Sequence, residues 1–178
     1  MSGDRDDRAR RFRNALGAFA TGVTIVTTRE ADGRDVGLTA NSFNSVSLDP
    51  PMVLWSLAKN SRSLPAFLEA SHFAVHVLAA NQEELSLRFA TRGADKFSGL
   101  DIDRGPQQVP LLHGCSARFV CRTAFRHEAG DHMIFVGEVE AFDRSDLPEL
   151  LFHRGRYALA VPKPSAPVPP PEFWDWTY

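Results

Sequence analysis

Between residues 37 and 51 the chain reads Gly-Leu-Thr-Ala-Asn-Ser-Phe-Asn-Ser-Val-Ser-Leu-Asp-Pro-Pro. Small and polar side chains cluster at Thr39, Ala40, Asn41, Ser42, Asn44 and Ser45. Small residues let a flat ligand approach the backbone, and amides and hydroxyls can meet its polar edge. An isoalloxazine ring presents such an edge, with N3, O4 and N5 in a row. A Ser/Asn-rich turn explains the same composition, and on composition alone it is the stronger reading. A second segment, Ser56-Leu57-Ala58-Lys59-Asn60-Ser61-Arg62-Ser63, follows a predicted strand and opens a predicted helix. Hydroxyls, a fixed cation and free N–H groups there suit a phosphate, though a capped helix with a solvated arginine fits equally. Phe89-Ala90-Thr91-Arg92-Gly93-Ala94-Asp95-Lys96-Phe97 offers a cation and two aromatics, or simply a helix end closed by Gly93. Gly130-Asp131-His132 places a histidine at a strand start. The glycine signatures of Rossmann dinucleotide sites and P-loops are absent, as is the GxSxG elbow.

The 178 residues suit one domain with a real core. The chain is 43% hydrophobic and 24% charged, with a net charge of −2, which gives no footprint for nucleic acid. No apolar run is long enough for a membrane helix, and the charged N-terminus has no signal core. A cytoplasmic protein is expected. Cys115 and Cys121, placed on one extended strand, would lie too far apart for a bridge. His72 and His76 fall in a strand-like run without HExxH, so no metal site is expected.

The elements that must position these residues are mostly strands. Residues 8–19 carry Phe12, Leu16 and Phe19 at helical spacing, a narrow apolar stripe among arginines. Residues 23–28, 36–42, 52–57 and 73–78 read as strands, with a hairpin at Asp32-Gly33. Residues 61–70 and 81–90 read as helices, capped by Ser61 or Ser63 and by Asn81. Residues 95–110 look irregular. Residues 116–126 and 133–142 form a long hairpin, with Ala117, Phe119, Cys121 and Phe125 on one side and Arg118, Arg122 and Arg126 on the other. Residues 150–152 and 157–161 complete the sheet. Many strands and few helices predict a mainly β, closed or nearly closed antiparallel barrel over residues 1–161. Residues 162–178 read as a Pro-rich tail ending in Phe173, Trp174, Trp176 and Tyr178.

Six stretches, in order, resemble the short-chain flavin reductase family, the reductase components of two-component flavin monooxygenases. They are TGVTIVTT (21–28), GLTANSFNSVSLDPP (37–51), SRS (61–63), DKF (95–97), PLLHG (110–114) and GDHMIFVGEV (130–139). The resemblance spans about residues 12–157. It implies a split-barrel, FMN-binding type of fold, a homodimer with each flavin near the subunit interface, and reduction of FMN or FAD by NADH or NADPH. The reduced flavin would pass to a partner monooxygenase. Residue by residue, it implies that Thr39, Ala40, Asn41 and Ser42 hold the isoalloxazine edge. Backbone N–H groups from Asn41 through Ser45, Val46 and Ser47 would bond the reduced ring. Ser56, Leu57, Ser61 and Arg62 match positions around the ribityl chain and phosphate. Phe89, Ala90, Lys96 and Phe97 match a loop closing over the flavin, His132 lies near the nicotinamide, and Tyr157 also approaches the site. Two features depart from the family pattern: the tail, and Trp55, where a smaller residue is expected. A pyridoxamine phosphate oxidase-like split barrel and a non-catalytic flavin-binding module are the rival readings.

Overall fold

A computed structural model describes residues 2–93 and 95–162. The aromatic tail and Ala94 lie outside the described residues. In chain order the elements are α1 (Ser2–Leu16), β1 (Thr21–Gly22), β2 (Thr24–Arg29), β3 (Asp35–Ala40), β4 (Asn44–Leu48), β5 (Pro51–Ala58), α2 (Leu64–Glu69), β6 (His72–Val77), α3 (Glu83–Ala90), β7 (Ile102–Arg104), a 3₁₀ turn (Pro106–Gln108), β8 (Pro110–Leu112), β9 (Ala117–Ala129), β10 (His132–Arg144), β11 (Leu150–His153) and β12 (Arg156–Leu159).

Seven antiparallel strands form one sheet in the order β3-β2-β6-β9-β10-β5-β4. Its two edge strands are consecutive in the chain and joined only by residues 41–43. Laid flat, seven strands put those edges about 29 Å apart. The link from Ala40 to Asn44 spans at most about 14 Å. The sheet must therefore roll up, and β3 meets β5 across the seam. This is the barrel that the strand pattern predicts. The side chain of Ser42 bonds across that seam, donating to Ser56 O and accepting from Ser56 N–H, both at 3.0 Å.

Inside the roll, Trp55, Phe67, Phe73 and Phe135 are almost fully buried with Val26, Val53, Val75 and Cys121. Trp55 stacks on Phe135 at 4.9 Å and meets Phe67 of α2 edge-on at 4.8 Å. Trp55 also meets Phe73 edge-on at 6.0 Å, and Phe73 in turn fills the space that Gly137 leaves open. A Cβ on Gly137 would sit 2.5 Å from the Phe73 ring and 2.8 Å from Cys121 Cβ.

The structure departs from the sequence expectations at several points. Strand β4 lies in the stretch that composition reads as a turn; it is an edge strand with exposed Asn44, Ser45, Val46 and Leu48, so no buried face marks it. Residues 95–110 contain β7, the 3₁₀ turn and the start of β8. Strands β11 and β12 do not complete the main sheet; they pair with β1 in a separate three-stranded one. Helix α1 ends at Leu16 rather than Phe19. Its stripe does not meet the barrel, since Phe12, Leu16 and Phe19 are 65%, 58% and 73% exposed.

The side assignment on β9 holds only as far as Thr123. There Ala124 is bulged, with Phe125 facing Val136 and Thr123 facing Gly137. One extra residue exchanges the faces beyond it. Phe125 thus leaves the side of Cys121 and is exposed, and Arg126 turns toward α2, donating to Ala70 O at 2.7 Å. Neither predicted cap on α2 bonds a helix N–H; the Ser61 hydroxyl accepts from Ser63 N–H at 3.3 Å instead. Gln82, not Asn81, precedes α3. Cys115 lies just before β9 rather than within it, and both cysteines are free.

His76 is fully buried and structural. Its Nε2 accepts from Leu112 N–H at 3.0 Å, which leaves Nδ1 to donate to Ile25 O at 3.0 Å. Among the described residues no cluster of metal-ligating side chains occurs, and no helix is long and apolar enough to cross a membrane.

Candidate functional site

A half-open cleft of about 870 Å³ lies between β3, the end of α3 and the chain leading into α2. One wall is β3, from Asp35 to Thr39. The facing wall is the end of α3, Phe89 and Ala90, with residues 91–93 and 95–97 beyond it. The end of β5, at Leu57 and Ala58, and residues 60–63 complete it.

The second wall is held against the first by close packing. Phe89 is fully buried and meets Phe97 edge-on at 5.1 Å. A Cβ on Gly37 would lie 2.6 Å from the Phe89 ring and 3.1 Å from Phe97. Only glycine lets β3 come this close. Lys96 pins the same contact, donating to Phe89 O at 2.6 Å and Gly37 O at 3.0 Å. A cation on the last carbonyls of a helix is favourably placed. Burial pulls the Lys96 pKa below its ordinary value. Replacing Gly37 with alanine should destabilise the fold by about 1–3 kcal/mol, the range for overpacking a filled site. A urea titration measures this, and a midpoint unchanged from wild type would contradict the packing.

The cleft has spare positive charge. Arg34 pairs with Glu30 at 2.5 Å, and Asp35 takes both nitrogens of Arg104 at 2.6 and 2.8 Å. Arg62 and Arg92 are exposed, and among the described residues neither has a carboxylate partner. Together with Asn60, Ser61, Ser63 and Thr39, they give a lining suited to a polar ring system carrying an anion.

Of the residues singled out in the sequence, Thr39, Leu57, Ser61, Arg62, Phe89, Ala90, Lys96 and Phe97 line this cleft. Ala40, Asn41 and Ser42 follow Thr39 across the seam beside it, and Ser56 faces Ser42 there. Ser45, Val46 and Ser47 lie on the edge strand β4. His132 is not in the lining. It opens β10 directly opposite Ala58, which is, and its Nδ1 lies 2.7 Å from the Asp131 carboxylate. His132 holds the Asp131 pKa below the usual carboxylate range. Tyr157 stands behind α3, donating to Ser86 Oγ at 2.8 Å. Arg118 pairs with Asp143 at 2.8 Å, and Arg126 donates to Ala70 O at the end of α2, so neither lines the cleft. Sequence reasoning missed Glu30, Arg34 and Ser86. Arg34 carried only the signal of standing beside the Asp32-Gly33 turn.

A family model described as the flavin reductase like domain matches residues 16–160. The chain belongs to the flavin reductase-like family. It is 53% identical over 151 residues to the FMN reductase (NADH) SmoA of Agrobacterium fabrum, covering 85% of this chain and 86% of that one. It is 45% identical to the reductase component of the flavin-dependent trigonelline monooxygenase of Acinetobacter baylyi, covering 86% of this chain but 50% of the relative. Among solved structures, nitrilotriacetate monooxygenase component B from Mycobacterium thermoresistibile superposes with a TM-score of 0.86 at 36% identity, over 93% of both chains. The NADH:FAD oxidoreductase SgcE6 of Streptomyces globisporus, in complex with NAD and FAD fragments, gives 0.82 at 37% identity, over 90% of this chain and 96% of that one. The rolled sheet of this flavin reductase-like chain is thus the family's fold.

Proposed function

We propose that this chain reduces a flavin nucleotide with NADH and releases it to a partner monooxygenase. The observation that carries the reading is the cleft itself, where Arg62, without a carboxylate partner among the described residues, lies with Ser61 and Ser63 at one side and Thr39 at another. That donor set fits a phosphorylated ring ligand. The names of the relatives, FMN reductase (NADH) and monooxygenase reductase component, support the flavin, the donor and the partner.

Bound flavin supplies the hydride-accepting ring. The chain's residues bind and orient. Arg62, with the hydroxyls of Ser61 and Ser63, holds the phosphate. Thr39 and the backbone of 40–42 and 45–47, with Ser56 and Leu57, would hold the ring's polar edge. Phe89, Ala90, Lys96 and Phe97, on the facing wall, would shield the bound ring from water. His132, steered by Asp131, positions the nicotinamide and moves no proton. His132→Ala should therefore raise the KM for the nicotinamide several-fold more than it lowers kcat. An unchanged KM would sink that role.

FMN and FAD share the ring, ribityl chain and first phosphate that these residues would hold. A homodimer is part of the same proposal. It is supported by exposed apolar side chains beside the site, Val46 and Leu48 on β4, and by the bare stripe of α1. The test is steady-state oxidation of NADH and NADPH with FMN, FAD and riboflavin in turn. Turnover with a flavin nucleotide is expected, and no oxidation with any flavin would refute the reading.

A further inference from the structure

Ser86 sits in the middle of α3, is fully buried, and belongs to no motif. It is nevertheless bonded from two sides. Tyr157 of β12 donates to its Oγ at 2.8 Å, and Thr39 of β3 donates to its carbonyl at 2.6 Å. One residue therefore joins the small sheet, the helix and the cleft wall. The Thr39 bond fixes more than a distance. A carbonyl can only accept, so the Thr39 proton is committed to Ser86 O. What Thr39 Oγ1 has left for the cleft is lone pairs, and it can only accept from a ligand N–H or O–H.

We propose that Ser86 and Tyr157 are positioning residues that hold Thr39 as a hydrogen-bond acceptor in the flavin cleft. Tyr157 acts from behind α3 and does not touch the ligand. Its own place is set by Phe152, whose ring it meets edge-on at 5.7 Å. Without the Tyr157 hydroxyl, the buried Ser86 hydroxyl loses its partner, and an unsatisfied buried group drives local rearrangement. The rearrangement falls on α3, which carries both Ser86 and, three residues on, the wall residue Phe89. The small sheet would thus tune flavin affinity at a distance. This rests on the flavin reading above.

The experiment is a double-mutant cycle read by equilibrium FMN titration, using quenching of flavin fluorescence. Tyr157→Phe and Ser86→Ala should each raise the Kd by about three- to tenfold, one hydrogen bond's worth. Thr39→Val should raise it about tenfold, and Thr39→Ser, which keeps the hydroxyl, should restore most of that. Tyr157→Phe added to Thr39→Val should change the Kd by less than about twofold, because both act through one contact. An unchanged Kd in both Tyr157→Phe and Ser86→Ala would overturn the proposal. So would Tyr157→Phe and Thr39→Val effects that simply multiply, which is the mark of a general structural role. If wild-type protein neither binds FMN nor oxidises NADH with it, the flavin reading itself fails, an outcome distinct from wild-type binding with silent variants.

Discussion

Arg62→Ala is expected to weaken binding of FMN by about 10- to 100-fold while leaving riboflavin within about twofold of wild type. Charge-assisted hydrogen bonds to phosphate are the strong ones, each equivalent to about one to two orders of magnitude in affinity. Arg62 can supply them because it has no competing carboxylate among the described residues, whereas Arg34 is taken by Glu30 and Arg104 by Asp35. Arg62→Lys should recover only part of the loss, since an ammonium gives a point charge and not a fork. Fluorescence titrations of FMN and riboflavin with the three proteins measure this. Equal loss for both flavins would mean that Arg62 shapes the loop and does not hold the phosphate.

The second large effect concerns stability against pH. Burial lowers the His76 pKa from its ordinary 6.5 to about 4, against a smaller opposing pull from its bond to Ile25 O. The folded chain therefore keeps this ring neutral when the unfolded chain already takes up a proton. Above pH 6.5 neither state is protonated, and the full stability is present. Between pH 6.5 and about 4 the unfolded state binds the proton and the fold loses stability, by about 3 kcal/mol in all. Below about pH 4 both states are charged and this contribution levels off. Charge is also resisted by geometry, because a protonated Nε2 would have to abandon the Leu112 N–H it accepts from. Urea midpoints measured from pH 7.5 to 4.5 should fall more steeply for wild type than for His76→Gln. Parallel slopes would contradict the burial of a neutral ring.

The barrel was legible in the sequence because most of its strands carry a burial pattern: β2, from Thr24 to Arg29, is buried on both faces and reads as a continuous β-branched run, and β5 alternates inward at Val53, Trp55 and Leu57. Strand β4 was not legible, because an exposed edge strand of Asn, Ser, Val and Leu has no core to mark it. Nor was the exchange of faces at Ala124, which depends on how β9 pairs with β10 and not on either strand alone. The site divides the same way. Arg62 and the 89–97 stretch stood out through charge and aromatic content, and ordered motifs across the chain tied them to a family. Ser86 gave no signal, since its role exists only once β3, α3 and β12 are packed together. Tyr157 was visible as a match but not as a residue acting through a helix. Arg34 reaches the cleft only because the β2–β3 hairpin is folded against it.

The central claim is that flavin is reduced in this cleft and then leaves it. Anaerobic rapid mixing of NADH with the protein and a large excess of free FMN tests this most directly, by following flavin absorbance as it bleaches. Bleaching is expected to run on past one flavin per chain until the excess FMN is reduced. Bleaching that halts at one flavin per chain, or no bleaching at all, would contradict it.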